Sequence, residues 1–366
     1  RAEMRTQPVQ KRSVEPFLKA MTRDTSMTSK AGRTLFELLI PREFKAHASK
    51  KQDLVLIVDE GTAIYPWELL EYAGYDGDES MAKKSGLIRQ LASHESDLAI
   101  VRNNRRALVI GDPLIDDEDF VELPSAQKEA STVHKLLMDS GYGLPKNNTL
   151  IKKPTGSEVL TALMTDEYQI LHLAGHGVVD YPLPSEKVKS MDYDGLAEQE
   201  PTLVTGMVIG KHHVLTPVEI RQMPATPAFV FINCCHLGNT DVKIRQYQDQ
   251  PQKLAANLAT QLIRQGVRAV IAAGWAVDDD AAQTFAESFY KAFLSGTAFG
   301  PAVKIAREKT YNKHRTVNTW GAYQCYGDPG YALTGLGGAG SAREETKYVS
   351  RSEYETRINN ITEKAK

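Results

Sequence analysis

A chain of 366 residues, 42% hydrophobic and 25% charged, has ordinary globular composition and can bury a sizeable core, as one large α/β domain or two modest ones. A formal net charge of -2 exerts no global pull on nucleic acid or anionic membrane, and neither a basic patch nor an apolar run of about 18 residues replaces it. Three cysteines, two of them adjacent at Cys234 and Cys235, make a poor disulfide framework, so a reducing, cytoplasmic setting without signal peptide or membrane span is expected.

The sequence opens at Arg1 rather than methionine, which suggests a piece of a longer chain. Residues 1–50 are expected to be a lead-in packed on a domain at 51–335, with a glycine-rich exit and a charged C-terminal helix at 336–366. Within the domain, apolar runs recur at 53–59 (DLVLIVD), 106–112 (RALVIGD), 168–175 (YQILHLAG), 228–235 (AFVFINCC) and 268–275 (RAVIAAGW). Continuous rather than alternating apolar character predicts strands covered on both faces. Between them, Val133, Leu136 and Leu137, and later Leu254, Leu258 and Leu262, follow the three and four spacing of helices. Strand alternating with helix predicts a mainly parallel sheet sandwiched by helices, with its active site at the carboxyl ends of the strands.

Two stretches, 180–206 and 239–253, are polar and aperiodic and are expected as exposed insertions. Near the end, Tyr354, Ile358 and Ile361 stand at helical spacing, on a helix that docks a partner, packs on its own domain or forms a solvated linker. The run GLGGAG (335–340) fits G-x-G-x-x-G formally but lacks a βαβ unit behind it, so it reads as an exit loop and no dinucleotide cofactor is expected.

The chemistry-bearing residues fall at predicted strand ends. In LHLAGHG (171–177), His172 and His176 flank a small-residue turn whose glycines allow close approach to a substrate. In NCCHLG (233–238), two cysteines end a strand. A thiol beside an imidazole becomes an effective nucleophile, and parallel strands can bring His176 and Cys235 to one edge although no local motif joins them. Metal binding by these residues is disfavoured by spacing, because adjacent cysteines chelate poorly and HLAGH lacks the glutamate of H-E-x-x-H.

Eight segments in register resemble the CHAT domains, caspase-like cysteine peptidases related to separases and caspases: IYPWELL (64–70), ALVIGDP (107–113), LPSAQKEA (123–130), ILHLAGHG (170–177), LTPVEI (215–220), NCCHLG (233–238), AGWAVDDDAAQTFAESFY (273–290) and WGAYQCYGDP (320–329). The resemblance spans roughly residues 50–333 and implies a caspase-like three-layer α/β sandwich, its mainly parallel central sheet covered by helices on both faces. It also implies a cysteine endopeptidase with a Cys–His dyad, His176 and Cys235, and an oxyanion hole from the amides of Gly177 and Cys235. Cys234 then takes a small, buried position. Asn233, two before the nucleophile, would line the primary pocket. Asp279, four after Trp275 as in separases, or Asp278 beside it, would favour a basic P1 residue; the alternative is that Asp278, Asp279 and Asp280 only open the next helix. Relatives are commonly joined to sensor or repeat modules, in prokaryotic defence among other settings. The expected partners are therefore a protein substrate and a regulatory domain or protein, with no cofactor, metal, nucleic acid or membrane. A catalytically silent caspase-like scaffold and a thiol-transfer enzyme are the competing readings.

Overall fold

The computed structural model describes residues 11–22, 25–26, 29–48, 53–74, 77–92, 104–143, 153–183, 202–234 and 251–333. Among them the strands in chain order are β1 (Val55–Val58), β2 (Glu71–Gly74), β3 (Gly77–Ser80), β4 (Ile88–Leu91), β5 (Ala107–Gly111) and β6 (Ile170–Ala174). These are followed by β7 (Gly177–Leu183), β8 (Thr202–Gly210), β9 (His213–Leu215), β10 (Phe229–Asn233), β11 (Ala269–Ala273) and β12 (Tyr323–Gly327).

Seven strands form the central sheet in the order β1-β4-β12-β11-β10-β6-β5. Every pairing in it is parallel except β11 with β12. The four strands β5, β6, β10 and β11 are buried at every position, as their uninterrupted apolar sequences predict. Helices cover both faces, so the chain is the expected three-layer α/β sandwich. Alternation along β10 sends Phe229, Phe231 and Asn233 toward the helices Pro124–Asp139 and Asp279–Leu294, where Phe289, Tyr290 and Glu129 meet them. The helix Pro251–Arg264 packs on β11 from the other side. The first of these interfaces is an aromatic core, in which Phe285 stacks on Tyr323 with ring centroids 4.1 Å apart. Each such ring stabilises the fold by about 1.5–3 kcal/mol on burial.

The sheet departs from the sequence reading in three places. DLVLIVD forms an edge strand rather than one covered on both faces, leaving Ile57 62% exposed because no strand lies beyond β1. The segments 88–91 and 323–327 are strands although Arg89, Gln90 and Gln324 interrupt their apolar pattern. The stretch 180–206 is not wholly an insertion: 180–183 finish β7 and 202–206 begin β8, the two pairing in an antiparallel sheet with β9. Its Pro, Ser and Asp content hid the β-branched ends. Likewise 251–253 already belong to the helix Pro251–Arg264. Residues 184–201 and 235–250, the run 335–340 and the helical spacing of Tyr354, Ile358 and Ile361 lie outside the described residues.

N-terminal to β1, the helices Lys11–Thr22 and Ser29–Leu39 contribute Val14, Met21, Leu35 and Phe36 to the same core as the sheet. The polar strand β4 is held by charge pairing. Arg89 is fully buried, donating through Nε to Glu68 Oε1 at 2.9 Å and through Nη2 to Glu68 Oε2 at 2.5 Å, and it also reaches the carbonyls of Ala63 and Tyr65. Arg307, equally buried, lies 3.6 Å from the same carboxylate. Burial works against the charge on Arg89, yet Glu68 and Tyr326 hold its pKa above the ordinary value. Among the described residues no helix is long and apolar enough to cross a membrane.

Candidate active site

Because β6, β10 and β11 are parallel, their carboxyl ends share one edge of the sheet. The register pairs Asn233 with Ala174, and Gly175 N donates to Asn233 O at 3.2 Å, so the turn after β6 runs directly beside the exit of β10. Gly177 packs against that exit: a Cβ built on it would collide with the carbonyl oxygen of Cys234 and with Leu254. Glycine is required by this close approach. Val208 N donates to His176 O at 2.9 Å, which makes Gly177 and Met207 a non-hydrogen-bonded pair of the β7–β8 ladder. The amide of Gly177 therefore points away from β8.

His176 is 1% exposed. Its Nε2 lies 2.6 Å from the carbonyl oxygen of Val121, and since a carbonyl only accepts, the ring proton sits on Nε2 and the neutral imidazole keeps its basic lone pair on Nδ1. Phe120 meets the imidazole edge to face with centroids 5.3 Å apart. Both contacts come from the segment after β5. Asp112 adopts a left-handed φ of 46°, which aspartate tolerates better than most residues, and its Oδ2 accepts from Leu123 N at 3.0 Å and Gln127 Nε2 at 2.8 Å. That pair of bonds folds residues 113–123 back over His176.

The other expected residues are placed as follows. His172 is in the core, with Nδ1 3.2 Å from Tyr290 Oη and Nε2 3.2 Å from Glu129 Oε1. Asn233 is fully buried and donates through Nδ2 to Glu129 Oε2 at 2.7 Å. Cys234 is 2% exposed, the buried place expected of it. Cys235, His236 and Gly238 lie outside the described residues; Cys234 is the last residue described before them. Trp275 is buried and donates to Asn318 Oδ1 at 3.2 Å. Asp278 is the N-cap of Asp279–Leu294, accepting from Ala281 N at 2.9 Å, whereas Asp279 is exposed in the first helical turn.

The quoted segments largely explain themselves as structure. Glu68 of IYPWELL is the buried counterion of Arg89, and Thr216 and Glu219 of LTPVEI form a capping box. A model of the CHAT domain matches residues 29–328. The chain belongs to the CHAT domain family.

No curated protein matches it. This CHAT domain is similar to several solved structures. The Arg specific cysteine proteinase gingipain R is 12% identical with a TM-score of 0.45, the match covering 83% of this chain and 68% of that one. The separase in the Saccharomyces cerevisiae separase–securin complex is 16% identical with a TM-score of 0.40, over 75% of this chain and 15% of that one. The complex of RgpB pro- and mature domains from Porphyromonas gingivalis is 12% identical with a TM-score of 0.40, over 88% and 78%.

Sequence reasoning missed Val121, Phe120, Glu129 and Tyr290. Val121 acts through its main chain, which carries no side-chain signal. Glu129 lay within a quoted segment, but its partners His172 and Asn233 are 43 and 104 positions away in sequence.

Proposed function

We propose that this CHAT domain is a cysteine endopeptidase in which Cys235 is the nucleophile and His176 the general base and acid. The observation that carries the reading is the packing of Gly177 on Cys234, which brings the residue after His176 against the residue before Cys235. In the proposed cycle, Nδ1 of His176 takes the thiol proton and the thiolate attacks the scissile carbonyl carbon. The carbonyl oxygen becomes an oxyanion received by the amides of Gly177 and Cys235. His176 returns its proton to the leaving amine as the C–N bond breaks, and water then hydrolyses the thioester. The carbonyl of Val121 orients the imidazole throughout and stabilises its protonated form, so no third side chain is needed.

We further assign a basic P1 preference to Asp279. Asp279 stands exposed in the first turn of the helix that follows β11, the strand next to β10. The segment folded over His176 is acidic as well, with Asp116, Asp117, Glu118, Asp119 and Glu122 and no Lys or Arg between 112 and 122, a field that attracts basic peptides. Control by a further domain or partner protein completes the reading.

A peptide-library cleavage profile of the wild type, Cys235→Ala and His176→Ala proteins tests it, run with and without candidate activators. Cleavage after Arg or Lys that disappears in both variants is expected. Undiminished cleavage by Cys235→Ala would overturn the peptidase assignment, and an acidic P1 would overturn that of Asp279.

A further inference from the structure

A second group of polar residues lies beneath the edge, buried and outside the proposed chemistry. Glu129, on the helix Pro124–Asp139, is 3% exposed. One of its carboxylate oxygens accepts from Asn233 Nδ2 at 2.7 Å, and the other lies 3.2 Å from His172 Nε2. His172 sits on β6 four residues before His176, and Asn233 on β10 two residues before Cys235. The two strands are neighbours, with His172 opposite Phe231 and Ala174 opposite Asn233, so a single carboxylate bridges both strands on one face. On its far side His172 meets the hydroxyl of Tyr290 at 3.2 Å, on the helix that begins at Asp279.

Burial raises the Tyr290 pKa well above its ordinary value, so the hydroxyl stays protonated and can donate to His172 Nδ1. Asn233 points an amide hydrogen at one carboxylate oxygen of Glu129, and His172 Nε2 stands 3.2 Å from the other without a hydrogen bond between them. Polar side chains of both strands thus meet one carboxylate anchored in the helical layer, Asn233 by a hydrogen bond and His172 by close contact. A buried polar chain of this kind rigidifies what it joins, because breaking any link leaves a desolvated group unpaired.

We propose that Glu129 is a positioning residue that sets the separation of the His176 imidazole and the Cys235 sulfur by clamping the two strands that carry them, an inference that rests on the peptidase reading above. Asn233 is its handle on the nucleophile strand. A displacement of about 1 Å between reacting groups can cost roughly 100-fold in rate, so a clamp four and two residues away from the reacting pair acts on kcat rather than on substrate affinity.

The test uses a donor–acceptor exchange in the full chain. Asn233→Asp alone sets two carboxylates against each other and is expected to lower kcat by about 100-fold with KM unchanged. In Glu129→Gln combined with Asn233→Asp, the new amide can donate to the new carboxylate, and most of the lost kcat is expected to return. Glu129→Ala is expected to lower kcat in the same way, and to slow alkylation of Cys235 by iodoacetamide in protein whose thermal unfolding shows it to be folded. The clamp is overturned if the exchanged pair is no more active than Asn233→Asp. It is equally overturned if folded Glu129→Ala keeps wild-type kcat and wild-type alkylation, or if KM moves while kcat does not. Loss of the peptidase reading looks different: wild-type protein would then cleave no peptide, or Cys235→Ala would cleave as well as wild type.

Discussion

His176 and Val121 are joined across 2.6 Å, ring Nε2 to main-chain carbonyl, tying the carboxyl end of β6 to the segment that follows β5. Because the acceptor is backbone, no substitution at position 121 simply deletes it. The packing that holds the segment down is open to mutation instead. Phe120, 8% exposed, fills a small cluster with Val178 and Val208 and lies edge to face on the imidazole. Phe120→Ala is expected to lower kcat by up to about 100-fold through misaligned His176, with a much smaller change in KM. Steady-state kinetics on the preferred peptide decide this, and an unaltered kcat would mean that the segment keeps its place without the ring.

Gly177→Ala introduces one methyl group where the Cys234 carbonyl and Leu254 already stand. The collision is with backbone on one side, which gives way less readily than a side chain. We expect a stability loss of about 1–3 kcal/mol in urea unfolding and abolished peptide cleavage in the folded fraction. Full activity in this variant would disprove the close packing of the two strand exits.

Burial pushes the Cys325 thiol from its ordinary value of 9.0 up to about 12. Its thiolate is therefore scarce at pH 8, roughly one part in 10⁴, and iodoacetamide should leave it unmodified in native protein while labelling Cys235. Peptide mass mapping before and after unfolding reads this directly. The same shift has a stability consequence. The thiol ionises in the unfolded chain near 9.0 but in the folded chain only near 12, so the folded state binds the proton more tightly and stability falls as pH rises through that window. The loss approaches about 1.4 kcal/mol per pH unit for one such group. Tyr142 and Tyr331, also pushed up to about 12 by burial, add losses of the same sign above pH 10.0. Urea unfolding from pH 8 to 11 should show a steepening decline; a flat profile would contradict it.

Glu68 is the shared counterion of two buried guanidiniums, those of Arg89 and Arg307. Glu68→Ala leaves both without it. The expected loss is about 3–5 kcal/mol, measured by urea denaturation, since an uncompensated buried charge costs far more than the intact pair contributes. A loss under about 1 kcal/mol would show that carbonyls such as that of Leu87, 2.6 Å from Arg307, suffice.

Apart from the edge strand DLVLIVD, the strands legible in sequence were those whose every residue is buried against apolar neighbours. AFVFINCC and RAVIAAGW announce themselves because a strand covered on both faces has no polar positions to interrupt it. IRQL and YQCYG do not, although they are inner strands, because Arg89 and Gln324 are buried by pairing with Glu68 and Tyr326, and such pairing leaves no periodic trace. The two imidazoles of LHLAGHG look interchangeable in sequence. Their separation into a core neighbour of Glu129 and a ring at the sheet edge comes from the end of β6 at Ala174, which puts His176 in the turn beyond it, and from contacts made by residues far away.

Residue type and order alone established a parallel α/β sandwich, the family, and which strand ends carry thiol and imidazole, since apolar runs and short glycine turns are local properties that survive without knowledge of neighbours. Tertiary structure decided the rest: that Gly177 seats on Cys234, that a main-chain carbonyl holds His176, and that Glu129 spans β6 and β10. Each of these contacts joins segments distant in the chain. Their energies depend on burial and on a partner's geometry, quantities that exist only once the sheet has formed.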